Sequence, residues 1–272
     1  IRDRYNANRG DEAAVKAMVD ELLIKYPGAT ITISNNGFTP YPGMPENVIQ
    51  IDRFPKLESR MAQLEFFIVL LFKGKFAFTK EARKFIRALK EADVVLHAPG
   101  GPSIGDTYFK AEKLYLWRLN LIRRMGIPYI FYAPSMGPFN CTSRNKLRKE
   151  VISGAERIVL RDPISVKYVK DFLPGVEVEQ ALDSALQHDI DIDKNERKYN
   201  NYPELKNFIE NHEKCIGITI TDLKWHPVHK NEKIIEQIPT AFKAFITQKV
   251  KEGYGVVFIP QLYGNLNDTK VM

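Results

Sequence analysis

The sequence predicts an α/β protein whose strands lie parallel. Short runs of β-branched and other apolar residues alternate with longer stretches in which apolar residues recur at helical spacing. Several runs end in Gly, Pro or Ser residues that precede a new helical pattern, as in residues 93–106. A strand, a turn and a helix in this order are typical of βαβ units, which bind ligands at the carboxyl edge of their sheet.

Composition and charge limit the classes of function. The chain has 272 residues, of which 44% are hydrophobic, enough for one large or two smaller domains. A formal net charge of +7, spread along the chain, suits an anionic substrate or an acidic membrane surface. Aromatic residues are not interleaved with basic ones on short strands, so we expect no nucleic-acid partner. The two cysteines, Cys141 and Cys215, lack metal-ligand spacing and predict a reducing, cytoplasmic setting.

The first part of the chain predicts a helix, two strands and a second helix. Apolar residues at helical spacing follow Gly10 and stop before Pro27, with Asn8 and Asp11 as candidate N-caps. Thr79 is the candidate N-cap of the second helix. The predicted elements are a helix over 10–26, strands over 30–34 and 48–51, and a helix over 79–92.

The longest apolar run, Phe66–Phe72, is seven residues long. A helix that spans a bilayer needs roughly 20 apolar residues, so this run predicts no membrane span. We expect a buried core helix here. The alternative is an interfacial helix that contacts anionic lipid, because Lys73 and Lys75 follow the run directly.

Residues 93–106 predict the strand and the loop around which the first domain is organised. The apolar residues 94–96 predict a fully buried central strand. Gly100 and Gly101 allow the backbone to turn sharply and to approach a ligand closely. Their spacing matches neither the dinucleotide-binding loop nor the P-loop. A tight structural connection is the alternative to a ligand loop.

Two further strands are predicted to end at the same edge of the sheet. The first is followed by a turn-rich stretch that contains Ser135. After the second, Asp162 before Pro163 predicts an N-cap and a helix that begins at the proline. Arg161 is then the last residue of its strand, at the edge shared with Ser135 and Gly100, and we expect it to hold any bound anion. The predicted elements are helices at 108–125 and 143–154 and strands at 128–132 and 157–160.

The rest of the chain predicts a polar linker and the start of a second domain. Asp183 follows a predicted strand at 176–179, and the polar composition of 189–211 is typical of a linker. In the second domain we expect only two strands and one helix, too few to cover a parallel sheet on both faces. We therefore expect it to continue past Met272; the alternative is that it docks wholly onto the first domain. The predicted boundaries are 1–192 for the first domain, 193–214 for the linker and 215–272 for the second, with strands at 215–220 and 256–259, a helix at 234–251 and a loop at 260–264.

Short motifs with possible ligand contacts recur along almost the whole chain. They are Asn8-x-Gly10-Asp11, Gly100-Gly101-x-x-x-x-Asp106, Ser135-Met-Gly-Pro-Phe139, Arg161-Asp-x-x-Ser165, Asp183-x-Ala185 and Ile259-Pro-Gln-x-Tyr-Gly264. In this order they resemble the polysaccharide pyruvyl transferase family. The resemblance implies two Rossmann-like domains arranged as in GT-B glycosyltransferases. It also implies phosphoenolpyruvate as the donor, a sugar of a cell-surface or exported polysaccharide as the acceptor, and a pyruvate ketal as the product.

The implied donor sets requirements for the site. Phosphoenolpyruvate carries about three negative charges near neutral pH, so Arg or Lys must lie close to it, and Arg161 is the first choice. A general acid must protonate the methylene carbon, and a general base must accept hydroxyl protons. Asp11, Asp106 and Asp183 are the candidates; for each, helix capping or pairing with Arg161 is the alternative. The reaction requires no metal and no cofactor besides the donor substrate.

The resemblance also implies a set of residues that bind the donor or the acceptor. His97 is expected to be a hydrogen-bonded core histidine instead. Since Ser135 and Ser165 have no histidine near them in the sequence, we do not expect nucleophilic catalysis. We expect their hydroxyls to donate to a phosphate or to the acceptor sugar, and helix capping is the alternative. The expected binding residues are Asn8, Gly10, Gly100, Gly101, Ser103, Ser135, Met136, Gly137, Arg161, Ser165, His226, Gln261 and Tyr263.

Two other functions fit the same architecture, because a fold does not fix a function. One is a GT-B glycosyltransferase that uses a nucleotide sugar, and the other is a glycan-binding relative without catalytic activity. For the pyruvyl transferase, the expected partners are phosphoenolpyruvate and a sugar acceptor. A lipid-linked acceptor would place this cytoplasmic protein at the inner face of the membrane, in peripheral contact with it.

Overall fold

The computed structural model describes residues 6–35, 40–41, 43–52, 54–55, 59–188, 190–221, 233–264 and 268–270. Helices alternate with short strands and most strand pairs are parallel, so the α/β class is confirmed. The chain separates into a larger unit, Gly10–His188, and a smaller unit, Ile1–Arg9 with Asp189–Met272. The GT-B-like arrangement and the domain boundaries stay predictions.

The described residues form the following strands and helices. The strands are β1 (Asn6–Asn8), β2 (Ile31–Asn35), β3 (Val48–Asp52), β4 (Val95–His97), β5 (Gly100–Ile104), β6 (Tyr129–Tyr132), β7 (Pro134–Met136), β8 (Arg157–Leu160), β9 (Glu179–Gln180), β10 (Cys215–Ile218), β11 (Gly255–Phe258) and β12 (Leu262–Gly264). The helices are α1 (Arg9–Lys25), α2 (Arg60–Leu71), α3 (Lys80–Glu91), α4 (Phe109–Met125), α5 (Asn145–Ser153), α6 (Pro163–Phe172), α7 (Ile192–Asn200), α8 (Pro203–Glu210) and α9 (Ile234–Lys251).

Parallel pairing organises the larger unit. Strands β4, β6, β8 and β9 form one sheet in that order, while β2 pairs with β3 and β5 pairs with β7. A smaller core cluster joins α1 to β3. The main core lies between the four-stranded sheet and the helices, and its fully buried side chains include Phe66, Leu116, Phe131, Ile152 and Leu160.

Two helix starts follow the chemistry that the sequence predicts. Thr79 Oγ1 accepts a hydrogen bond from the Ala82 N–H at 3.2 Å, as an N-cap does at the start of α3. Asp162 accepts a hydrogen bond from the Ser165 N–H at 2.7 Å, and Pro163 is the first residue of α6. The predicted start of α6 is confirmed. Arg161, predicted as the last residue of its strand, instead lies directly after β8, which ends at Leu160.

The prediction of a fully buried central strand at 94–96 is wrong. Val94 lies outside β4 and is 44% exposed, and all three residues of β4 are only half-buried. Within the described residues, β4 is an edge strand of its sheet. The inner position beside it belongs to β6, where Tyr129 and Phe131 are buried. A short apolar run does not distinguish an edge strand from an inner one, because both can bury one face.

The stretches predicted as loops after β4 and β6 are themselves paired strands. Strands β5 and β7 run parallel, with Gly100 opposite Pro134. At the end of β5, Gly105 has a φ of +138°, and a Cβ there would lie 2.6 Å from the carbonyl oxygen of Gly137. The close approach of these two backbones therefore requires glycine.

Gly105→Ala is expected to lower the free energy of unfolding by roughly 2–4 kcal/mol, because the added methyl group meets backbone atoms and alanine is strained at this φ. Gly175→Ala is the matched control, since nothing lies within 4 Å of a Cβ at that position. We expect the control to change the free energy of unfolding by less than about 1 kcal/mol. Chemical denaturation measures both values, and equal effects of the two substitutions would contradict the packing argument.

The smaller unit contains more structure than the sequence predicts. Strands β10 and β11 pair in parallel, and the helix predicted over 234–251 is α9. The stretch predicted as a polar linker forms helices α7 and α8. The prediction of a loop at 260–264 is wrong, because 262–264 form β12, which pairs antiparallel with β1. No local pattern indicates a pairing between segments so far apart in the sequence.

The apolar run 66–72 occupies the second half of α2 and the residue after it. Phe66 and Val69 are fully buried, as expected for a core helix, but Phe67 and Leu71 are 47% and 64% exposed. The prediction of a buried helix therefore holds for one face only. Across the described ranges, no helix has both the length and the apolar character that crossing a bilayer requires.

Candidate functional site

The carboxyl edge of the sheet brings Arg161, Ser135 and Asp183 together. The Nε of Arg161, which follows β8, donates to Ser135 Oγ at 2.8 Å, and its Nη1 donates to Asp183 Oδ2 at 2.5 Å. The side chains of this ion pair are 26% and 33% exposed, so solvent and small ligands can reach it. Ser135 lies in β7, next to Pro134, which is paired with Gly100. The predicted convergence of Gly100, Ser135 and Arg161 is confirmed.

A hydrogen-bond network behind Arg161 fixes its surroundings. Ser135 Oγ and Ser165 Oγ both donate to Asp162 Oδ2, at 2.8 and 2.9 Å. Burial by itself would raise the pKa of Asp162, but the hydrogen bonds from Ser165 and Ser135 outweigh it and lower the pKa. Asp162 is therefore ionised near neutral pH and orients the Ser135 hydroxyl that accepts from Arg161.

Met136 and Ser165, both expected to bind the donor, are internal supports of this network. Ser165 is 3% exposed and Met136 is 1% exposed. The Met136 N–H donates to Ser165 Oγ at 2.9 Å, and the Met136 side chain lies in the main core. Their side chains contact protein atoms and support the network from within. Contact of either residue with a ligand stays a prediction.

Asp11 reaches the same edge from helix α1. It lies in the first turn of α1, which begins at Arg9, so the expectation that Asp11 caps this helix is wrong. A Cβ added to Gly100 would lie 3.5 Å from Asp11 Oδ1, which shows how closely the carboxylate approaches β5. The charges of Arg161 and Asp183 both act on Asp11. Asp11 therefore forms one cluster with Ser135, Arg161 and Asp183 within the larger unit.

The surroundings of Asp11 raise the pKa of its carboxyl above the ordinary value of 3.8. Partial removal of the carboxyl from water by surrounding protein atoms is the largest cause. The charge of Arg161 lowers the pKa, and the charge of Asp183 raises it. Asp11 nevertheless keeps an exposed surface. A carboxyl that retains its proton more readily than usual and remains accessible can exchange a proton with a bound molecule.

Two tyrosines that the sequence did not indicate lie near Asp11. Burial and the Asp11 charge raise the pKa of Tyr41 to about 12, and the same two causes raise the pKa of Tyr108. Both hydroxyls therefore stay protonated near neutral pH and can donate hydrogen bonds. Tyr41 lies between two prolines, where no periodic pattern points to a site, and Tyr108 is the residue before α4.

Asp106, the third carboxyl expected to be catalytic, belongs to a different cluster. Its Oδ1 accepts from Arg148 Nη2 at 2.7 Å, and its Oδ2 accepts from the N–H groups of Asn140 and Cys141 at 2.6 and 3.0 Å. Arg148 also donates through Nε to the fully buried Glu112 at 2.7 Å. Asp106 thus fastens the segment after β7 to α5. A catalytic role for it stays a prediction.

His97 and Ser103 form a hydrogen-bonded pair with Nε2 and Oγ 2.6 Å apart. The His97 ring packs edge-on against Tyr115 and Phe131. Removal from water, and then the Arg118 charge, lower the pKa of His97 to about 4, so the ring is neutral near pH 7. The expected hydrogen bond of His97 is confirmed, although by its exposed surface the residue is half-buried rather than fully inside the core. Ser103, which was expected to bind the donor, is its partner.

The remaining glycines of the predicted site have distinct positions. Gly10 lies in the first turn of α1, and Gly101 is exposed in β5. Gly137 has a φ of +88°, and a Cβ there would lie 2.6 Å from the ring of Tyr168. Gly137 therefore makes room for the packing of Tyr168, while Gly101 remains open to a ligand.

In the smaller unit, the pairing of β1 with β12 joins residues from opposite ends of the sequence. Asn8 lies opposite Leu262, and the Gln261 carbonyl oxygen accepts from the Arg9 N–H at 3.2 Å. Tyr263 is the central residue of β12. Asn8 of the first sequence motif and Leu262 of the last are thus neighbours. His226, also expected to bind the donor, lies outside the described residues, and roles for all four residues stay predictions.

Comparison with known families shows the family to which the chain belongs. The model of the polysaccharide pyruvyl transferase family matches residues 8–268. The chain belongs to this family. The match spans every motif named above, and the family name implies pyruvyl transfer acting on a polysaccharide. No curated protein of similar sequence was found.

For a pyruvyl transferase, the state of Arg161 is informative. Two of its three guanidinium nitrogens, Nε and Nη1, are engaged by Ser135 and Asp183. A planar guanidinium can bind a carboxylate or phosphate through two parallel hydrogen bonds. An anion that binds through Nη1 would compete with Asp183 for that nitrogen. In this structure the guanidinium is therefore held by one hydroxyl and one carboxylate.

Proposed function

We propose that this protein transfers the pyruvyl group of phosphoenolpyruvate to two hydroxyls of one sugar in a cell-surface or exported polysaccharide. The observation that supports the proposal is the cation of Arg161 beside Asp11, a carboxyl with a raised pKa. A phosphorylated enol acid needs a cation to balance its charge and an acid to protonate its carbon. Membership of the pyruvyl transferase family supports the same reaction.

Arg161 is assigned to donor binding. Phosphoenolpyruvate carries about three negative charges near neutral pH, and a guanidinium binds such oxygens more directionally than an ammonium does. The pair of Arg161 with Asp183 is partly exposed, so its exchange for a donor oxygen does not strand a charge in the protein interior. The hydroxyl of Ser135, already bound to Arg161 Nε, lies beside the same position.

Asp11 is assigned the role of general acid. It transfers a proton to the methylene carbon, which becomes a methyl group, and the adjacent carbon becomes electrophilic. One sugar hydroxyl adds to that carbon, and the second hydroxyl then replaces the phosphate to close the cyclic ketal. Of the two hydroxyl protons, one restores the proton on Asp11 and the other leaves with the phosphate. These reaction steps need no metal and no other co-substrate.

The test is phosphate release by the purified chain from phosphoenolpyruvate, with a panel of lipid-linked and nitrophenyl sugars as acceptors. We expect release that depends on the acceptor, together with a new ketal methyl signal in the proton NMR spectrum of the product. Consumption of a nucleotide sugar without use of phosphoenolpyruvate would assign a glycosyltransferase instead. Binding of the glycan without phosphate release under any condition would assign a non-catalytic relative.

Asp106→Asn is expected to lower stability rather than catalysis. Arg148 would lose a charged partner, which costs roughly 1.5–3 kcal/mol of unfolding free energy. The folded variant should lose much less than the factor of about 10² in the rate of phosphate release that removal of a general acid causes. Melting curves and initial rates measure the two effects. A loss of 10²-fold or more at an unchanged melting temperature would restore Asp106 to the catalytic set.

A further inference from the structure

Helix α2 and the segment after it expose an apolar surface that the proposed reaction does not use. Met61, Leu64 and Leu71 are 74%, 56% and 64% exposed and recur at helical spacing on one face. The rings of Phe72 and Phe76 lie 4.9 Å apart and continue this face beyond the helix. We call it the α2 surface; its members are Met61, Leu64, Phe67, Leu71, Phe72, Phe76 and Phe78, each at least 44% exposed.

The opposite face of α2 is firmly attached to the larger unit, which fixes the direction in which the α2 surface points. Phe66 and Val69 are fully buried in the main core. The carboxylate of Glu65 accepts from the N–H groups of Phe78 and Thr79 at 2.6 and 2.7 Å. Its second oxygen accepts from Thr79 Oγ1 at 2.7 Å. The inward face of α2 is thus fixed by core packing and by the hydrogen bonds of Glu65. The apolar side chains on the other face therefore point away from the larger unit.

Within residues 59–80, which contain α2 and the segment after it, the exposed charges have one sign. Between residues 59 and 80, the basic residues Arg60, Lys73, Lys75 and Lys80 are all exposed. The one acidic residue of this stretch, Glu65, is buried under the helix. Every exposed charge of the segment is therefore positive, and these charges flank the apolar side chains at both ends of the helix.

This combination is characteristic of contact with a lipid surface. A helix that is apolar around its whole circumference buries both faces, one in protein and the other in a second apolar medium. At a membrane interface, apolar side chains enter the acyl boundary while Lys and Arg contact anionic head groups, and aromatic rings favour that boundary. A large exposed apolar patch on a folded protein indicates a binding surface.

We propose that the α2 surface docks the protein onto a membrane that contains anionic lipids. The proposal rests on the apolar side chains and their basic flanks, not on the reaction assigned above, so either can fail without the other. Together the two would bring the enzyme to the surface where a lipid-linked sugar is presented.

Sedimentation of the full chain with lipid vesicles tests the proposal. We expect the chain to bind vesicles of phosphatidylcholine with phosphatidylglycerol, and to bind vesicles of phosphatidylcholine alone much more weakly. Raising the salt concentration should weaken the binding to the anionic vesicles, because it screens the attraction between the lysines and the head groups. Failure to bind anionic vesicles at low salt would overturn the proposal.

The triple variant Met61→Gln, Leu64→Gln, Leu71→Gln removes apolar side chains from the surface without opening the core. We expect roughly tenfold or greater weakening of vesicle binding. Ile24→Gln with Ile49→Gln is the control, because these side chains are 73% and 50% exposed elsewhere in the larger unit. Phosphate release with a soluble acceptor and the melting temperature should be unchanged in both variants. Equal vesicle binding by the triple variant and the wild type would refute the role of α2.

The charge requirement has its own pair of variants. Lys73→Asn with Lys75→Gln should weaken binding to anionic vesicles by roughly five- to thirtyfold, from about 1 kcal/mol for each lysine near the surface. Asn suits position 73 because the backbone there has a φ of 50°. Lys146→Gln with Lys170→Gln lowers the net charge equally at other exposed positions and should have little effect.

Sedimentation velocity separates the lipid surface from a self-association surface. We expect the triple variant and the wild type to have the same oligomeric state. A dimer that dissociates in the triple variant, in a protein that does not bind vesicles, would assign the α2 surface to a second copy of the chain and overturn the proposal.

Discussion

Arg161→Ala is expected to weaken phosphoenolpyruvate binding by roughly 10- to 150-fold, the equivalent of 1.5–3 kcal/mol for a hydrogen bond to a charged group. The loss follows from the position of Arg161 after β8, where its guanidinium binds Asp183 and, in the proposed reaction, binds the donor instead. Arg161→Lys keeps the charge but lacks the planar pair of donors, so it should also weaken binding, by no more than alanine does. Calorimetric titration of the donor measures both.

Arg157 provides the matched control because it begins the strand whose end Arg161 follows. It also binds a carboxylate through two nitrogens, at 2.5 and 2.6 Å from Glu179, but this pair is 60% and 52% exposed. An exposed ion pair contributes about 0–1 kcal/mol, so Arg157→Ala should leave donor binding unchanged. A lowered melting temperature with unchanged donor affinity in Arg161→Ala would mean that Arg161 only holds Asp183, and the donor assignment would be wrong.

The edge that carries Arg161 was predictable because its signals are local. An Asp-Pro pair fixes the first residue of α6, and the helix start in turn fixes Arg161 as the residue after β8. The turn-rich stretch after β6 likewise marks the end of a strand, and it places Ser135 beside Arg161. Strand ends of a parallel sheet meet at one edge, so the sequence was sufficient to bring these side chains together.

The pairings of β5 with β7 and of β1 with β12 were not predictable from local patterns. Residues 100–104 contain two glycines and a proline, a composition that is depleted in strands. They form a strand because the backbone of 134–136 lies alongside, which is a tertiary effect. For the same reason, apolar residues 94–96 gave no indication that their strand lies at an edge.

The ion cluster of Asp106 had a signal in the sequence, although not at Asp106 itself. Glu112 lies four residues before the buried Leu116, and Arg148 lies four residues before the buried Ile152. A charged residue at a core-facing position of each of two helices indicates a buried pair, because an isolated charge is costly to bury. Arg148 of that pair also binds Asp106, whereas Asp11 lies within reach of the Arg161 charge.

Asp11→Asn is expected to lower kcat for phosphate release by roughly 10²- to 10⁴-fold, the range for removal of a general acid. Donor binding should persist, because Arg161 remains. Asp20→Asn is the control on the same helix: Asp20 pairs with Lys16 at 2.9 Å, and both side chains are about a third exposed. It should leave kcat unchanged. Equal losses in the two variants would mean that α1 tolerates no change of charge, and Asp11 would lose its assignment.

The stability of Asp11→Asn should change in the opposite direction to its activity. The folded-state pKa of Asp11 lies above the ordinary value of 3.8, so its favourable contribution is fully present below that value and is lost as the pH rises through the folded-state pKa. Near neutral pH the ionised carboxylate therefore destabilises the folded protein, and asparagine removes that charge. Melting curves over a pH series should show the variant above the wild type near pH 7, with the difference shrinking toward pH 3.8. A variant that melts below the wild type near neutral pH would contradict the raised pKa and, with it, the proton that the proposed reaction takes from Asp11.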